Sequence, residues 1–225
     1  MAQFAAFTHD LLQARFRTMG TARNTRPLLR ADRVALKILN APWMLTWFQQ
    51  NTDAHLIPVL RHPGGQARSV MRLGWQYPVE AYLERPAAME RLFTPTQMTA
   101  ARKIMAGADP WACAVLDWVV TSHPLRHAQG LKLHLYENIV SDPAAFVSET
   151  LVARCGLRDV AAMNRAITQP SGSSHLSTEG ANASIAARDV DKIVNGWRAK
   201  TSAAEHAVGQ DILDTFGVTL YRFDA

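Results

Sequence analysis

The side chains best suited to binding chemistry in this 225-residue chain lie between His55 and Arg72, in the run HLIPVLRHPGGQARSVMR. The apolar, branched stretch over 55–60 has the length and composition of a buried strand. It leads into Arg61, turns through Arg61-His62-Pro63-Gly64-Gly65, and resumes from Gln66 as a helix start that carries Ser69. A cation at the carboxyl end of a strand, followed by a turn and a helix, is how α/β proteins hold anions. Ligands there sit outside the strand ends, and helix N-termini offer unpaired N–H groups. Arg61 is therefore the candidate anion-binding residue. The plainer alternative is a surface arginine closing a strand and a serine capping a helix.

Other residues of reactive type are less organised. Cys113 and Cys155 stand alone, without CxxC or Cys/His spacing, and read as buried thiols of a reducing compartment, not as a zinc site or a disulfide frame. His55, His62, His123, His127, His134 and His175 are scattered, and none is paired in sequence with a partner acid, so no catalytic residue is assigned. Glu137, in the run YENIVSDP, reads as an acceptor of hydrogen bonds at a strand end; a catalytic carboxylate is the sharper alternative. There is no GxxxxGK[ST], and no Asp closes a strand as a magnesium ligand would, which argues against a nucleotide kinase or other P-loop NTPase.

The elements that must position Arg61 and Ser69 follow from periodicity and punctuation. Residues 3–19 space Phe4, Phe7, Leu11, Leu12, Phe16 and Met19 as one buried helical face, and a basic connector follows to residue 32. Residues 33–39 (RVALKIL) read as a strand, Pro42 opens a helix over 43–50, and the unit 34–60 is a small βαβ crossover that implies parallel strands. Thr94-Pro95 and Asp109-Pro110 each set an N-cap before Pro at the first helical position, predicting helices over 95–106 and 110–122. A further strand is expected over 130–136, then a helix from Asp142-Pro143 to Cys155 stopped by Gly156, and a helix over 158–167. Residues 168–187 are rich in Ser and Gly and read as a mobile surface loop. Ser202-Ala-Ala-Glu205 is a capping box for a last helix that Gly217 ends.

Arg61-x-Pro63 at a strand end, with Ser69 eight residues on, resembles the second nucleotide-binding element of the sulfotransferases that use 3′-phosphoadenosine 5′-phosphosulfate (PAPS). Tyr136-Glu137-Asn138 before Asp142-Pro143 is similar to that family's Tyr-Glu-Asp segment, and Gly196-Trp197-Arg198-Ala199-Lys200 resembles its closing Trp and basic run. The likeness covers about residues 33–222. It implies a single α/β domain over 1–225, three-layer α/β/α around a parallel sheet and related to P-loop kinases. Arg61 and Ser69 would bind the nucleotide's 3′-phosphate, and Arg188, Arg198 and Lys200 would be further phosphate contacts. Lys37 matches a strand-ending lysine, and His62 stands where the family most often has Asp. The N-terminal strand and phosphosulfate-binding loop have no counterpart in residues 1–32, so a chain truncated at its start is expected.

The implied activity is transfer of a sulfonate from PAPS to a hydroxyl or amine of a small-molecule, glycan or peptide acceptor, without a metal. The alternative is a non-catalytic sulfotransferase-like protein. Composition fits a globular chain of either kind: 48% apolar, 24 Lys plus Arg against 19 Asp plus Glu, and the basic residues dispersed, which argues against a dedicated nucleic-acid surface. No stretch has the length of a membrane span or a leader, and a cytoplasmic protein is expected.

Overall fold

The computed structural model describes residues 35, 37–38, 42–74, 77–169 and 179–224. The chain divides into an N-terminal unit, Met1–Ala41, and a larger unit, Pro42–Ala225. The helix expected over 3–19 lies outside the described residues. Of the strand expected over 33–39, Ala35, Lys37 and Ile38 are described; they are exposed and carry no regular structure.

The larger unit mixes helices, which predominate, with a small parallel sheet. A 3₁₀ turn, Pro42–Met44, leads into α1 (Leu45–Asn51), β1 (Val59–Leu60), α2 (Pro63–Leu73), α3 (Val79–Leu83) and α4 (Pro86–Met89). Then follow α5 (Pro95–Gly107), α6 (Pro110–Arg126), β2 (His134–Leu135), α7 (Tyr136–Ser141) and α8 (Pro143–Ala145), which continues as a π-helix over Phe146–Val152. The order closes with α9 (Val160–Ile167), α10 (Glu179–Ala186), α11 (Val190–Asn195), a 3₁₀ turn Arg198–Lys200 and α12 (Ala203–Thr215). β1 and β2 pair in parallel with Val59 opposite His134 and Leu60 opposite Leu135, whereas the crossover expected over 34–60 has no strand at its described residues 35, 37 and 38.

The organising element is α6. Asp109 caps it by accepting from the N–H groups of Trp111 and Ala112, with Pro110 in the first turn. It is apolar on every side, so it must be enclosed. Residues from Trp111 through Val120 are all buried, and α2, α5 and α12 pack around them. α5 carries the full capping box between Thr94 and Gln97, and α12 the one between Ser202 and Glu205. These pairs are legible because each satisfies two orphan N–H groups at a helix start. Cys113 and Cys155 are both buried free thiols.

Three expectations are corrected. The turn over 61–65 is instead the start of α2: Pro63 fits the first helical position, and His62 N-caps it, its Nδ1 accepting the Gly64 N–H at 3.0 Å. The strands over 55–60 and 130–136 shrink to two residues each, because Tyr136 already belongs to α7. The loop over 168–187 holds α10; residues 170–178 lie outside the described residues. Among the described residues, no helix is long and apolar enough to cross a membrane.

Candidate functional site

The carboxyl end of β1 is held by hydrogen bonds from three distant parts of the chain. The Leu60 carbonyl lies 3.3 Å from the Tyr221 hydroxyl, the Arg61 carbonyl accepts from Trp118 Nε1 at 2.9 Å, and the His62 N–H donates to Glu137 Oε1 at 2.8 Å. Glu137 Oε2 accepts the Tyr221 hydroxyl proton at 2.8 Å. Burial and the Glu137 charge both push the Tyr221 phenol well above its ordinary range, so it stays a donor. Glu137 is thus the acceptor at a strand end that its position suggests, with both oxygens engaged inside the fold.

His62 is fixed in one neutral tautomer. Its Nδ1 accepts from Gly64, so Nε2 carries the proton and donates to the Arg222 carbonyl at 3.0 Å. Trp197 stacks on the ring at 4.5 Å, with Tyr221 and Phe223 edge-on at 4.9 and 5.2 Å. Burial in this cage lowers the imidazole from 6.5 to about 4. A histidine so enclosed caps a helix; it does not abstract protons from a substrate.

Arg61 points the other way. Its guanidinium lies over the Tyr136 ring at 4.9 Å, and Nη2 makes a long contact of 3.5 Å with the Ile193 carbonyl. Among the described residues it has no ion pair. Its Nε lies 2.9 Å from the point a Cβ on Gly65 would occupy, so the side chain runs against the Gly65 face of α2. Ser69 is four residues further on and shares that face. It is half-buried, and among the described residues its hydroxyl has no hydrogen-bond partner. The two predicted residues are therefore on one side of one helix, a cation and a free hydroxyl about a turn apart.

The remaining predicted contacts are not all gathered there. Arg198 donates from Nη1 to the Phe223 carbonyl at 3.3 Å and lies over Trp197 at 4.8 Å. Arg188 and Lys200 are exposed and have no hydrogen bond or ion pair to Arg61 or Ser69 among the described residues; Lys37 belongs to the N-terminal unit. Of the histidines, His55 is exposed, His123 stacks on His127 at 4.0 Å, His134 is buried, and His175 lies outside the described residues. Among the described residues, no group of three or more His, Cys, Asp or Glu could hold a metal ion. Sequence reasoning missed the Trp197–His62 stack and the residues 221–223 beneath it. Only the aromatic run Tyr221-Arg222-Phe223 hinted that this segment is buried.

Nothing matches. The protein-family models, the curated proteins and the solved structures each return no counterpart of this chain.

Proposed function

We propose that this chain binds a 3′-phosphorylated adenosine nucleotide at the carboxyl end of β1 and is a PAPS-dependent sulfotransferase within a three-layer α/β/α fold. It would transfer a sulfonate to a hydroxyl or amine of a small-molecule, glycan or peptide acceptor. The observation that supports this is the shared face of Arg61 and Ser69: a guanidinium with no carboxylate partner and a hydroxyl with no hydrogen-bond partner among the described residues, beside a helix start. A phosphate suits that pair, since a charged donor and a neutral donor both improve on binding it. Catalysis would rest on positioning and on charge stabilisation at the transferring group, by analogy with phosphoryl transfer.

A second reading is a non-catalytic nucleotide-binding or scaffold protein. It is favoured by Trp197, which lies against Gly64 in the first turn of α2, and by Arg198, which is engaged by Phe223.

Titration calorimetry with 3′-phosphoadenosine 5′-phosphate, with ADP as control, tests the binding. Arg61→Ala is expected to weaken the 3′-phosphorylated ligand by about 10- to 100-fold, the range for one hydrogen bond to a charged group, and to leave ADP unchanged. Equal affinity of wild type and variant for the 3′-phosphorylated nucleotide would sink the assignment. Selective binding without sulfonate transfer to any class of acceptor would leave the second reading standing.

A further inference from the structure

Arg61 and Tyr136 meet because the parallel register carries on past the last paired residues. Val59 stands opposite His134 and Leu60 opposite Leu135, so the next position brings Arg61 beside Tyr136, and the one after it His62 beside Glu137. Both continuations are made. The His62 N–H donates to Glu137 Oε1 at 2.8 Å, and the Arg61 guanidinium carbon lies over the Tyr136 ring, 4.9 Å from its centroid. Neighbouring strands stand close enough for side chains in register to touch.

Two residues adjacent in sequence therefore serve different ends. Glu137 is the carboxylate nearest in register to Arg61, yet the two form no ion pair. Its Oε1 faces the His62 amide and its Oε2 the Tyr221 hydroxyl, so both oxygens are spent on neutral donors inside the fold. What Arg61 receives instead is the aromatic ring. Its only polar contact among the described residues is the long reach of Nη2 to the Ile193 carbonyl at 3.5 Å. Gly65 supplies the room on the helix side, since a Cβ there would stand 2.9 Å from Nε.

The choice of partner matters for a ligand. A carboxylate would take up the guanidinium's N–H groups and cancel its charge. A ring attracts the cation through its quadrupole, offers no oxygen to its N–H groups and leaves the charge whole. The Tyr136 hydroxyl has no hydrogen-bond partner among the described residues, so the contribution made here is the ring's and not the oxygen's. Arg61 is thus a half-buried cation that is held in place without being neutralised.

We propose that Tyr136 is a positioning residue, whose ring holds the charged Arg61 guanidinium on the Ser69 side of α2 for the 3′-phosphate of the ligand; this rests on the nucleotide reading of the site.

The test is the ratio of affinities for 3′-phosphoadenosine 5′-phosphate and ADP, by titration calorimetry on the full chain and its variants. Tyr136→Leu removes the ring and should lower that ratio about 3- to 30-fold, the range of a cation–π contact, with ADP unchanged. Tyr136→Phe keeps the ring and should show the wild-type ratio. A side chain that only fills space would alter stability, or weaken both nucleotides together, and leave the ratio alone. A second measurement needs no variant. In ¹H–¹⁵N spectra of the free protein the Arg61 Nε–H, shielded by the ring, should lie upfield of that of the exposed Arg91. An unchanged ratio in Tyr136→Leu overturns the proposal and leaves the nucleotide reading intact. So does a Phe variant as weak as the Leu one, or an Arg61 resonance without the upfield shift. A wild-type chain with no preference for the 3′-phosphorylated nucleotide overturns both.

Discussion

Gly64 and Gly65 are adjacent, yet a methyl group at each would do different things. At Gly64 it would meet the six-membered ring of Trp197, which is buried and cannot retreat. Gly64→Ala is expected to cost about 1–3 kcal/mol as overpacking, read as a fall in the urea midpoint. At Gly65 it would meet chiefly Arg61 Nε at 2.9 Å, part of a flexible side chain with no ion pair among the described residues. Trp197 Cδ1, at 3.3 Å, comes second, a contact that a shift of a few tenths of an ångström relieves. Gly65→Ala should therefore leave stability within about 1 kcal/mol of wild type, because the arginine can swing away. It should also lower affinity for the 3′-phosphorylated nucleotide about 10-fold, because the cation is then displaced from the Ser69 face. If calorimetry finds Gly65→Ala binding as wild type does, Arg61 is not held for a ligand in the way argued above. The residue scale thus separates a glycine kept for packing from one kept for a side chain's path.

At the scale of elements, Glu137 is the joint between β1, α7 and the segment 221–223. Glu137→Ala would leave a His62 N–H and a buried tyrosine hydroxyl without an acceptor, a loss of about 2–4 kcal/mol in chemical denaturation. Glu137→Gln should cost about 1 kcal/mol or less. The amide oxygen can still accept from His62, and the Tyr221 hydroxyl can turn to the Leu60 carbonyl 3.3 Å away. A catalytic acid would show the opposite pattern, with a stable but inactive Gln variant. This joint explains what the sequence could and could not reveal. Helix starts at Thr94, Asp109 and Ser202 were legible because a cap is a local event, completed within four residues. Arg61 and Ser69 were paired in the sequence only through their likeness to a sulfotransferase element; helix periodicity adds that Ser69 shares the Gly65 face. The short strands were overestimated because apolar runs such as HLIPVL look alike whether or not a neighbour pairs with them. The His62 cage was invisible because Trp197, Tyr221 and Phe223 reach it across more than a hundred residues.

For the molecule as a whole, three titrating groups shifted by burial set opposing responses to acid. His62 falls from 6.5 to about 4 through burial, so on acidification the unfolded chain takes up that proton first. Its contribution to stability is present above about pH 6.5 and is lost as pH falls towards 4. His123, also lowered to about 4 by burial and by its neighbour His127, acts in the same direction. Asp117, buried in the middle of α6 with its carboxylate accepting the Val79 N–H, is raised from 3.8 to about 6 by that burial. The folded state holds that proton more tightly, so folding gains as pH falls from 6 towards 4. Asp117→Asn removes this opposing effect. Its stability should drop more steeply than wild type between pH 6 and 4, by about 2–3 kcal/mol across the window, measured as the difference in urea unfolding at the two pH values. Parallel pH profiles for the two proteins would show that Asp117 is not held protonated by burial. The bonds that close the strand end have a further consequence in time. Tyr221 and Arg222 reach Leu60 and His62 over sequence separations of 161 and 160 residues. Because a ribosome releases the chain from its N-terminus, β1 emerges long before the residues that seal it. Until then the Leu60 carbonyl and the His62 ring lack their partners at 221 and 222, and Trp118 and Trp197 lack their covering aromatic rings. Nascent chains arrested before Tyr221 should stay sensitive to protease around residues 55–75, and protection there should arrive in one late step.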